Sequence, residues 1–216
     1  IQGTGGVHLP PKDYFKEIKR ICEENDILYI SDEVITGFGR TGTWFGIEQF
    51  DVVPDLMTVA KGITSGYIPR VIFSDRIKEE MVELSEGNFM HGYTYSGHPT
   101  SCAAAIKNIE IVEDENLREN AACMGEEVLK GFQWLQEQHS IVGEVRGLGM
   151  MSAIEIVKDQ ATNERFDSPL APEMVEILLE KGLICRGVVY EGADTLIFAP
   201  PLVMNKKEVQ EMIDIL

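Results

Sequence analysis

The chain has 216 residues, of which 44% are hydrophobic, and its formal net charge is −17. This length and composition suit one or two folded domains with a sizeable core. The acidic balance disfavours nucleic acid as a partner, and no apolar run approaches the roughly 18 residues that a membrane span needs.

The first residues and the spacing of the cysteines bear on the cellular compartment of the protein. The chain opens with Ile1-Gln-Gly-Thr-Gly-Gly rather than with a basic and then apolar leader. The four cysteines have no C-x-x-C spacing, so we predict reduced thiols and neither a metal site nor a disulfide framework. We therefore expect a cytoplasmic protein without a membrane partner.

The first predicted elements are a helix over residues 13–25 and a strand over residues 27–30. Two prolines precede the helix, and its apolar residues recur at helical spacing. The strand leads to Asp32, and the carboxyl ends of strands are where open α/β sheets bind ligands. Glu33 alternates to the other side and is predicted to be structural. Val34 returns to the side of Asp32 if the chain stays extended.

A loop with four glycines, residues 35–46, connects this strand to an apolar strand over residues 56–60. The second strand has no polar stripe, which predicts burial on both faces. Lys61 follows directly, and desolvation there would lower its pKa and make it a nucleophile toward carbonyls. The alternative is a lysine whose stem covers the strand end while its head stays in water. An acid and a lysine at two strand ends suit pyridoxal phosphate, which needs a lysine for its Schiff base and an acid beside its ring nitrogen.

The predicted order of helices and strands changes near residue 113. A strand over 70–74, a helix over 75–84, a loop over 85–99 and a helix over 100–113 follow the lysine, and the length of that loop favours a functional role. Beyond them the pattern predicts a small α+β unit, with helices over 117–139, 172–181 and 206–216 and strands over 141–145, 150–157, 183–185 and 196–198.

Three motifs together resemble those of the class-III aminotransferases, which are fold-type-I enzymes that use pyridoxal phosphate. The motifs are residues 31–42, the Ala-Lys-Gly at 60–62, and the turn at 91–99. The resemblance implies an α/β fold. Residues 1–113 would form the C-terminal part of the large cofactor-binding domain, a mostly parallel sheet with flanking helices. Residues 114–216 would form the small C-terminal α+β domain.

Relatives of this family begin much earlier in their sequences than this chain does. Their preceding part carries a Gly/Ser turn for the cofactor phosphate and an aromatic residue that stacks on the ring. We therefore expect this chain to be the C-terminal portion of a longer protein. It also departs from the family after the lysine loop, because Gly66-Tyr-Ile-Pro-Arg-Val-Ile72 is shorter than the glycine-rich run that relatives have there.

The resemblance also implies roles for individual residues. Lys61 would form the internal aldimine and move the proton between substrate and cofactor. Asp32 would pair with the pyridine nitrogen, and Val34 would pack on the ring face or simply in the core. Thr94 would reach the phosphate of a neighbouring subunit's cofactor, which implies a homodimer with shared active sites; the alternative is a turn hydroxyl that bonds its own backbone. Arg40 is predicted to fix its loop rather than to bind substrate.

Substrate choice depends on the second half of the chain. Members that handle ornithine or γ-aminobutyrate commonly have arginine where this chain has Ile197, whereas this chain has an arginine earlier, at Arg186. That placement resembles the ω-amino acid:pyruvate and amine:pyruvate members, whose arginine binds a carboxylate at two points. A plain surface charge is the alternative for Arg186.

The sequence therefore predicts an aminotransferase that moves an amino group from an amine or ω-amino acid to a keto acid such as pyruvate. Two alternatives stay open. One is other pyridoxal-phosphate chemistry on the same fold, such as that of an aminomutase or decarboxylase. The other is an incomplete, non-catalytic chain.

Overall fold

The computed structural model describes residues 1–67, 83, 85–86, 92, 94 and 96–216. Two compact units form. The strand-pair unit contains Pro10–Gly39 and Thr43–Asn116, and the four-stranded unit contains Ile1–Leu9, Arg40–Gly42 and Leu117–Leu216. The domain boundary expected near residue 113 stays a prediction. The strand predicted at 70–74, all of the helix at 75–84 except residue 83, most of the loop at 85–99 and the short run after residue 67 lie outside the described residues.

The strand-pair unit is built around two parallel strands. Its elements are α1 (Tyr14–Glu24), β1 (Ile30–Asp32), β2 (Leu56–Thr58) and α2 (Pro99–Asp114), with short 3-10 helices at Gly46–Phe50 and Lys61–Thr64. Ile30 lies opposite Leu56 and Asp32 opposite Thr58, so the carboxyl ends of both strands lie at one edge. α1 is tied to the sheet by Lys19, whose Nζ lies 2.8 Å from the Asp55 carboxylate.

The first strand begins later than its sequence pattern predicts. Asp26 turns the chain after α1 with a φ of 55°, and the Ile27 N–H donates to the Cys22 carbonyl at 2.8 Å. Ile27 therefore completes the end of α1 instead of pairing in a strand. Pairing therefore starts only at Ile30, and Asp32 is the last residue of β1 rather than following it. β2 is half-buried along Leu56–Thr58 rather than buried on both faces, whereas Val59, which follows it, is 4% exposed.

The four-stranded unit has an antiparallel sheet. Its elements are α3 (Leu117–Gln138), β3 (Val142–Leu148), β4 (Met151–Ile156), α4 (Ala171–Glu180), β5 (Arg186–Tyr190), β6 (Ala193–Phe198) and α5 (Lys206–Ile215). The strand order is β3-β4-β6-β5. The helices cover a core that includes Phe132 and Phe198, whose rings meet edge to face at 5.1 Å between centroids. None of the described helices combines the length and the apolar character needed to cross a membrane.

The strand predicted at residues 183–185 is wrong. Gly182 turns the chain after α4 with a φ of 92°, and the Leu183 N–H donates to the Leu178 carbonyl at 2.8 Å. Leu183 therefore completes the end of α4 instead of pairing in a strand. The strand runs instead over Arg186–Tyr190, and its first residue lies opposite Ile197 on β6.

Candidate active site

The carboxyl edge of the parallel strand pair brings Asp32 and Lys61 to one side of the strand-pair unit. Asp32 ends β1 opposite Thr58, and Lys61 follows Thr58 after only Val59 and Ala60. Both side chains are exposed in this chain. The carboxyl edge of parallel strands is the usual place for ligands in open α/β sheets, so these two groups define the candidate site.

Among the described residues, the Asp32 carboxylate accepts one hydrogen bond and has no ion-pair partner. Its Oδ1 accepts the Val34 N–H at 3.0 Å, and no lysine, arginine or histidine of the described residues forms an ion pair with it. Val34 belongs to the turn that begins after Glu33, so the extended conformation predicted for it is wrong. The result is an exposed carboxylate that is oriented by its own backbone and has room for a cationic partner.

Glu33 faces the interior, as the sequence predicted. It is 2% exposed, and its Oε1 and Oε2 accept the backbone N–H groups of Ile47 and Gly46, each at 2.8 Å. The hydroxyls of Ser31 and Thr36 donate to the same carboxylate. A buried anion with four donors thus closes the glycine-rich loop that follows Asp32.

Lys61 begins a short 3-10 helix with an unusual backbone. Its φ is 45°, in the left-handed region that non-glycine residues seldom occupy. The side chain is exposed, so the described residues do not supply the desolvation predicted for it. The lysine lies where the chain leaves the sheet, while Ile63 two residues later is 1% exposed and packs in an apolar cluster with Phe38 and Val59.

The loops that follow the two strands touch beside Lys61. A Cβ at Gly62 would lie 3.0 Å from the Gly37 carbonyl oxygen and 3.2 Å from the Cβ of Phe38. A side chain at this position would be crowded, so glycine favours so close an approach between two backbones. The loop after Asp32 and the turn after Lys61 therefore support each other.

Asn108 on α2 contacts the same turn and was not singled out from the sequence. Its Nδ2 donates to the carbonyl oxygens of Gly62 at 2.9 Å and Ile63 at 3.2 Å, and its Oδ1 accepts the Ser65 hydroxyl. Ala105 and Ile109, on the same face of α2, pack in the apolar cluster with Ile63. A polar residue within this apolar face was the sequence signal that could have identified it.

The remaining predicted residues lie in other segments. Thr94 is exposed. Arg186 is an exposed residue of the four-stranded unit, and it begins β5 directly opposite Ile197 on β6. Opposed residues of antiparallel strands project on the same face of a sheet, so Arg186 stands beside the position at which some relatives carry their arginine.

Arg40 fixes backbone, as predicted. Its Nη1 donates to the Met150 carbonyl at 3.1 Å and to the Pro200 carbonyl, all within the four-stranded unit. Burial lowers the pKa of the Arg40 guanidinium. Arg40 is half-buried, and its guanidinium donates to two backbone carbonyl oxygens, which supports a structural role rather than a substrate-binding one.

Comparison with known proteins places the chain among transaminases. The family model described as "Aminotransferase class-III" matches residues 1–216. A putrescine–pyruvate aminotransferase of Pseudomonas aeruginosa is 45% identical over 99% of this chain and 46% of its own length. A diaminobutyrate–2-oxoglutarate transaminase of Halomonas elongata is 42% identical over 99% of this chain and 46% of its own length.

Solved structures agree with these relatives. A transaminase from the marine bacterium Virgibacillus matches with a TM-score of 0.95 and 48% identity, over 100% of this chain and 49% of its own. This likeness confirms the predicted fold class, part of a fold-type-I transferase. The chain spans about half the length of the relatives that it matches.

Proposed function

The chain belongs to the class-III aminotransferases, a family that depends on pyridoxal phosphate, and on that premise we propose that the protein of which it is part transfers an amino group from an amine or ω-amino acid to a keto acid such as pyruvate. The observation that carries this proposal is the edge of the parallel strand pair, where Asp32 and Lys61 stand at neighbouring strand ends and, among the residues that the structure describes, neither side chain has an ion-pair partner.

The described residues fit the cofactor. A pyridinium nitrogen needs an anionic partner, and Asp32 has a carboxylate without a cationic partner among the described residues. The aldehyde of the cofactor needs an amine, and no carboxylate of the described residues engages Lys61. When bound, pyridoxal phosphate supplies an electron sink for the pair of electrons left on the substrate carbon after it loses a proton.

We propose different roles for Lys61 and Asp32, which follow from an amine in one side chain and a carboxylate in the other. We assign to the Nζ of Lys61 the attachment of the cofactor and, later, the acceptance and return of the substrate's proton, because a neutral amine is both a nucleophile and a base. Asp32 keeps the ring nitrogen protonated by the attraction of its carboxylate. The assignment of the Val34 side chain to the ring face rests on the family resemblance alone, because Val34 lies in a turn rather than in an extended segment. Its backbone N–H orients the Asp32 carboxylate.

Arg186 is the residue that we assign to the carboxylate of the keto acid. It is exposed, always charged, and able to donate two parallel hydrogen bonds. Its backbone is held by pairing with β6, on which Ile197 lies opposite Arg186. Pyruvate and 2-oxoglutarate both offer such a carboxylate, and each is the acceptor in the name of one relative.

Thr94 carries the proposal for assembly. We assign its hydroxyl to the phosphate of the cofactor in a second copy of the protein, so the active unit is a homodimer at least. Dilution of the complete protein should then release pyridoxal phosphate as the dimer dissociates, measured by the loss of cofactor absorbance alongside light scattering. Retention of the cofactor by a monomer would contradict this assignment.

One experiment tests the function itself. The complete protein is incubated with pyridoxal phosphate, reduced with borohydride and digested, and mass spectrometry locates the pyridoxyl group, which we expect on Lys61. In a separate sample that is neither reduced nor digested, a diamine such as putrescine should be consumed together with pyruvate, and Lys61→Ala should abolish this exchange. A label on Lys12 or Lys107 with Lys61 unmodified would overturn the assignment.

The same assay separates the alternatives. Product formation without consumption of a keto acid would indicate aminomutase or decarboxylase chemistry. Absence of any cofactor absorbance in the complete protein would indicate a non-catalytic role.

A further inference from the structure

We propose that Asn108 is a positioning residue for Lys61, and that its side-chain amide holds the turn from which the lysine projects. This inference rests on the function proposed for Lys61. It goes beyond that function because it assigns a second residue, on a different helix, to the presentation of the amine.

The turn has backbone angles that need support. Lys61 at its start and Ser65 at its end have φ values of 45° and 48°. Such conformations are unfavourable for residues with a side chain and persist only where the surrounding structure determines them. Within the turn, the Ser65 N–H donates to the Gly62 carbonyl at 3.2 Å and the Gly66 N–H to the Lys61 carbonyl at 3.0 Å.

Within the described part of the chain, Asn108 adds three hydrogen bonds, and all of them go to this turn. The amide nitrogen donates to the carbonyl oxygens of Gly62 and Ile63, at 2.9 and 3.2 Å, and the amide oxygen accepts the Ser65 hydroxyl. Asn108 therefore binds the three residues at positions 62, 63 and 65, directly after the lysine. An asparagine amide can make these contacts because it carries both donors and an acceptor.

The position of Asn108 on α2 shows that packing alone does not explain its polarity. Ala105 and Ile109 pack in the apolar cluster that contains Ile63. Asparagine is a poor residue for the interior of a helix, and a leucine of similar shape would extend the apolar face. The amide replaces that apolar surface with hydrogen bonds to the turn of Lys61. A reacting amine needs such a fixed attachment, because small displacements of a reacting group are costly in rate.

A matched control occurs elsewhere in the chain. Asn120 on α3 uses its Nδ2 in the same way, donating to the carbonyl oxygens of Leu202 at 2.6 Å and Met204 at 3.0 Å in the four-stranded unit. Asn120→Leu removes the same kind of clamp from a segment without Lys61. Comparison with Asn108→Leu therefore separates a general loss of stability from a loss of lysine positioning.

The test measures capture of the cofactor rather than turnover. The complete protein and its Asn108→Leu and Asn120→Leu variants are freed of cofactor, mixed with pyridoxal phosphate and quenched with borohydride at successive times. Mass spectrometry follows the pyridoxyl group on Lys61, and thermal unfolding of the cofactor-free proteins is recorded in parallel. If Asn108→Leu does not fold, Asn108→Ser, which is smaller and still polar, replaces it.

We expect Asn108→Leu to slow the labelling of Lys61 by about tenfold or more, since a misplaced reacting group loses rate steeply. In Asn120→Leu, Lys61 should be labelled at a rate within about twofold of the parent. The unfolding temperature of Asn120→Leu should nevertheless fall by about as much as that of Asn108→Leu, because each variant loses the same kind of hydrogen bonds. Labelling of the Asn108 variant at the parent rate, or equal slowing in both variants, would overturn the proposal. A parent protein that takes no label at Lys61 would instead refute the proposed function, and the two failures are distinct because the latter is seen without any substitution.

Discussion

Replacement of Glu33 by glutamine should loosen the loop that follows Asp32. The Glu33 carboxylate divides four donors between its oxygens, and each oxygen accepts one backbone N–H and one hydroxyl. Glutamine has one acceptor oxygen and an NH₂ group that only donates. The Ser31 and Thr36 hydroxyls can rotate to accept from that NH₂ group, but the N–H of Gly46 or of Ile47 must face a donor.

The structure sets the size of the effect. A buried N–H left without an acceptor costs about 1–3 kcal/mol, and the remaining bonds lose the extra strength of a charged acceptor. The sum is about 2–4 kcal/mol for opening of the loop, which corresponds to at least about a 30-fold change in an equilibrium constant.

Amide hydrogen exchange measures this change where it arises. Exchange at Gly46 and Ile47 in Glu33→Gln should be faster by about 30-fold or more, at a rate set by the opening of the loop. Glu48→Gln is the control, because Glu48 belongs to the same 3-10 helix but is exposed. Exchange in the Glu33 variant within about threefold of the parent, or equal acceleration in the control, would show that the buried carboxylate does not hold this loop.

Three further outcomes are expected. Gly125→Ala should lower the free energy of unfolding in urea by about 3 kcal/mol, because its Cβ would lie 2.1 Å from the Gly149 carbonyl oxygen. Gly131→Ala should cost less than Gly125→Ala, because its Cβ would meet the Cδ1 and Cγ1 atoms of the Ile213 side chain, at 2.5 and 2.6 Å, rather than backbone. Asp32→Asn should lower turnover of the complete protein by about 100-fold or more, since it removes the charge from a positioned group, and turnover within about threefold would argue against its role. Arg186→Ala should lower kcat/KM for keto acids by a factor that corresponds to about 2–3 kcal/mol of lost binding free energy, and it should leave kcat/KM for simple amine donors unchanged. Unchanged affinity for pyruvate would show that another residue holds the carboxylate.

Local patterns were sufficient for the chemistry at the strand ends. An apolar run followed by an acid, and another followed by a lysine, predict two groups at the carboxyl edge of a parallel pair, and Asp32 and Lys61 lie there. The alternation of side chains along a strand was enough to direct Glu33 inward. These features depend on neighbouring residues alone, which is why the sequence contained them.

Element boundaries depended on competition that the sequence pattern does not express. Residues 27 and 183 are apolar and follow a helix, so both were predicted to lie in strands. In the folded chain their N–H groups complete hydrogen bonds at the ends of α1 and α4, and strand pairing begins only at Ile30 and Arg186. A backbone N–H satisfied by one partner cannot serve another, and only the folded chain decides which partner it has.

The support of the site was decided by the tertiary structure alone. Gly62 and Gly37 approach each other, Asn108 reaches back to the turn of Lys61, and Arg186 stands opposite Ile197. The first two of these contacts join segments that are distant in the sequence, whereas the third depends on the register of the hairpin formed by β5 and β6. The sequence by itself determined which chemical groups stand at the strand ends, whereas packing determined which distant backbone and amide groups hold them in position, because hydrogen bonds and close contacts depend on distances that only the folded chain establishes.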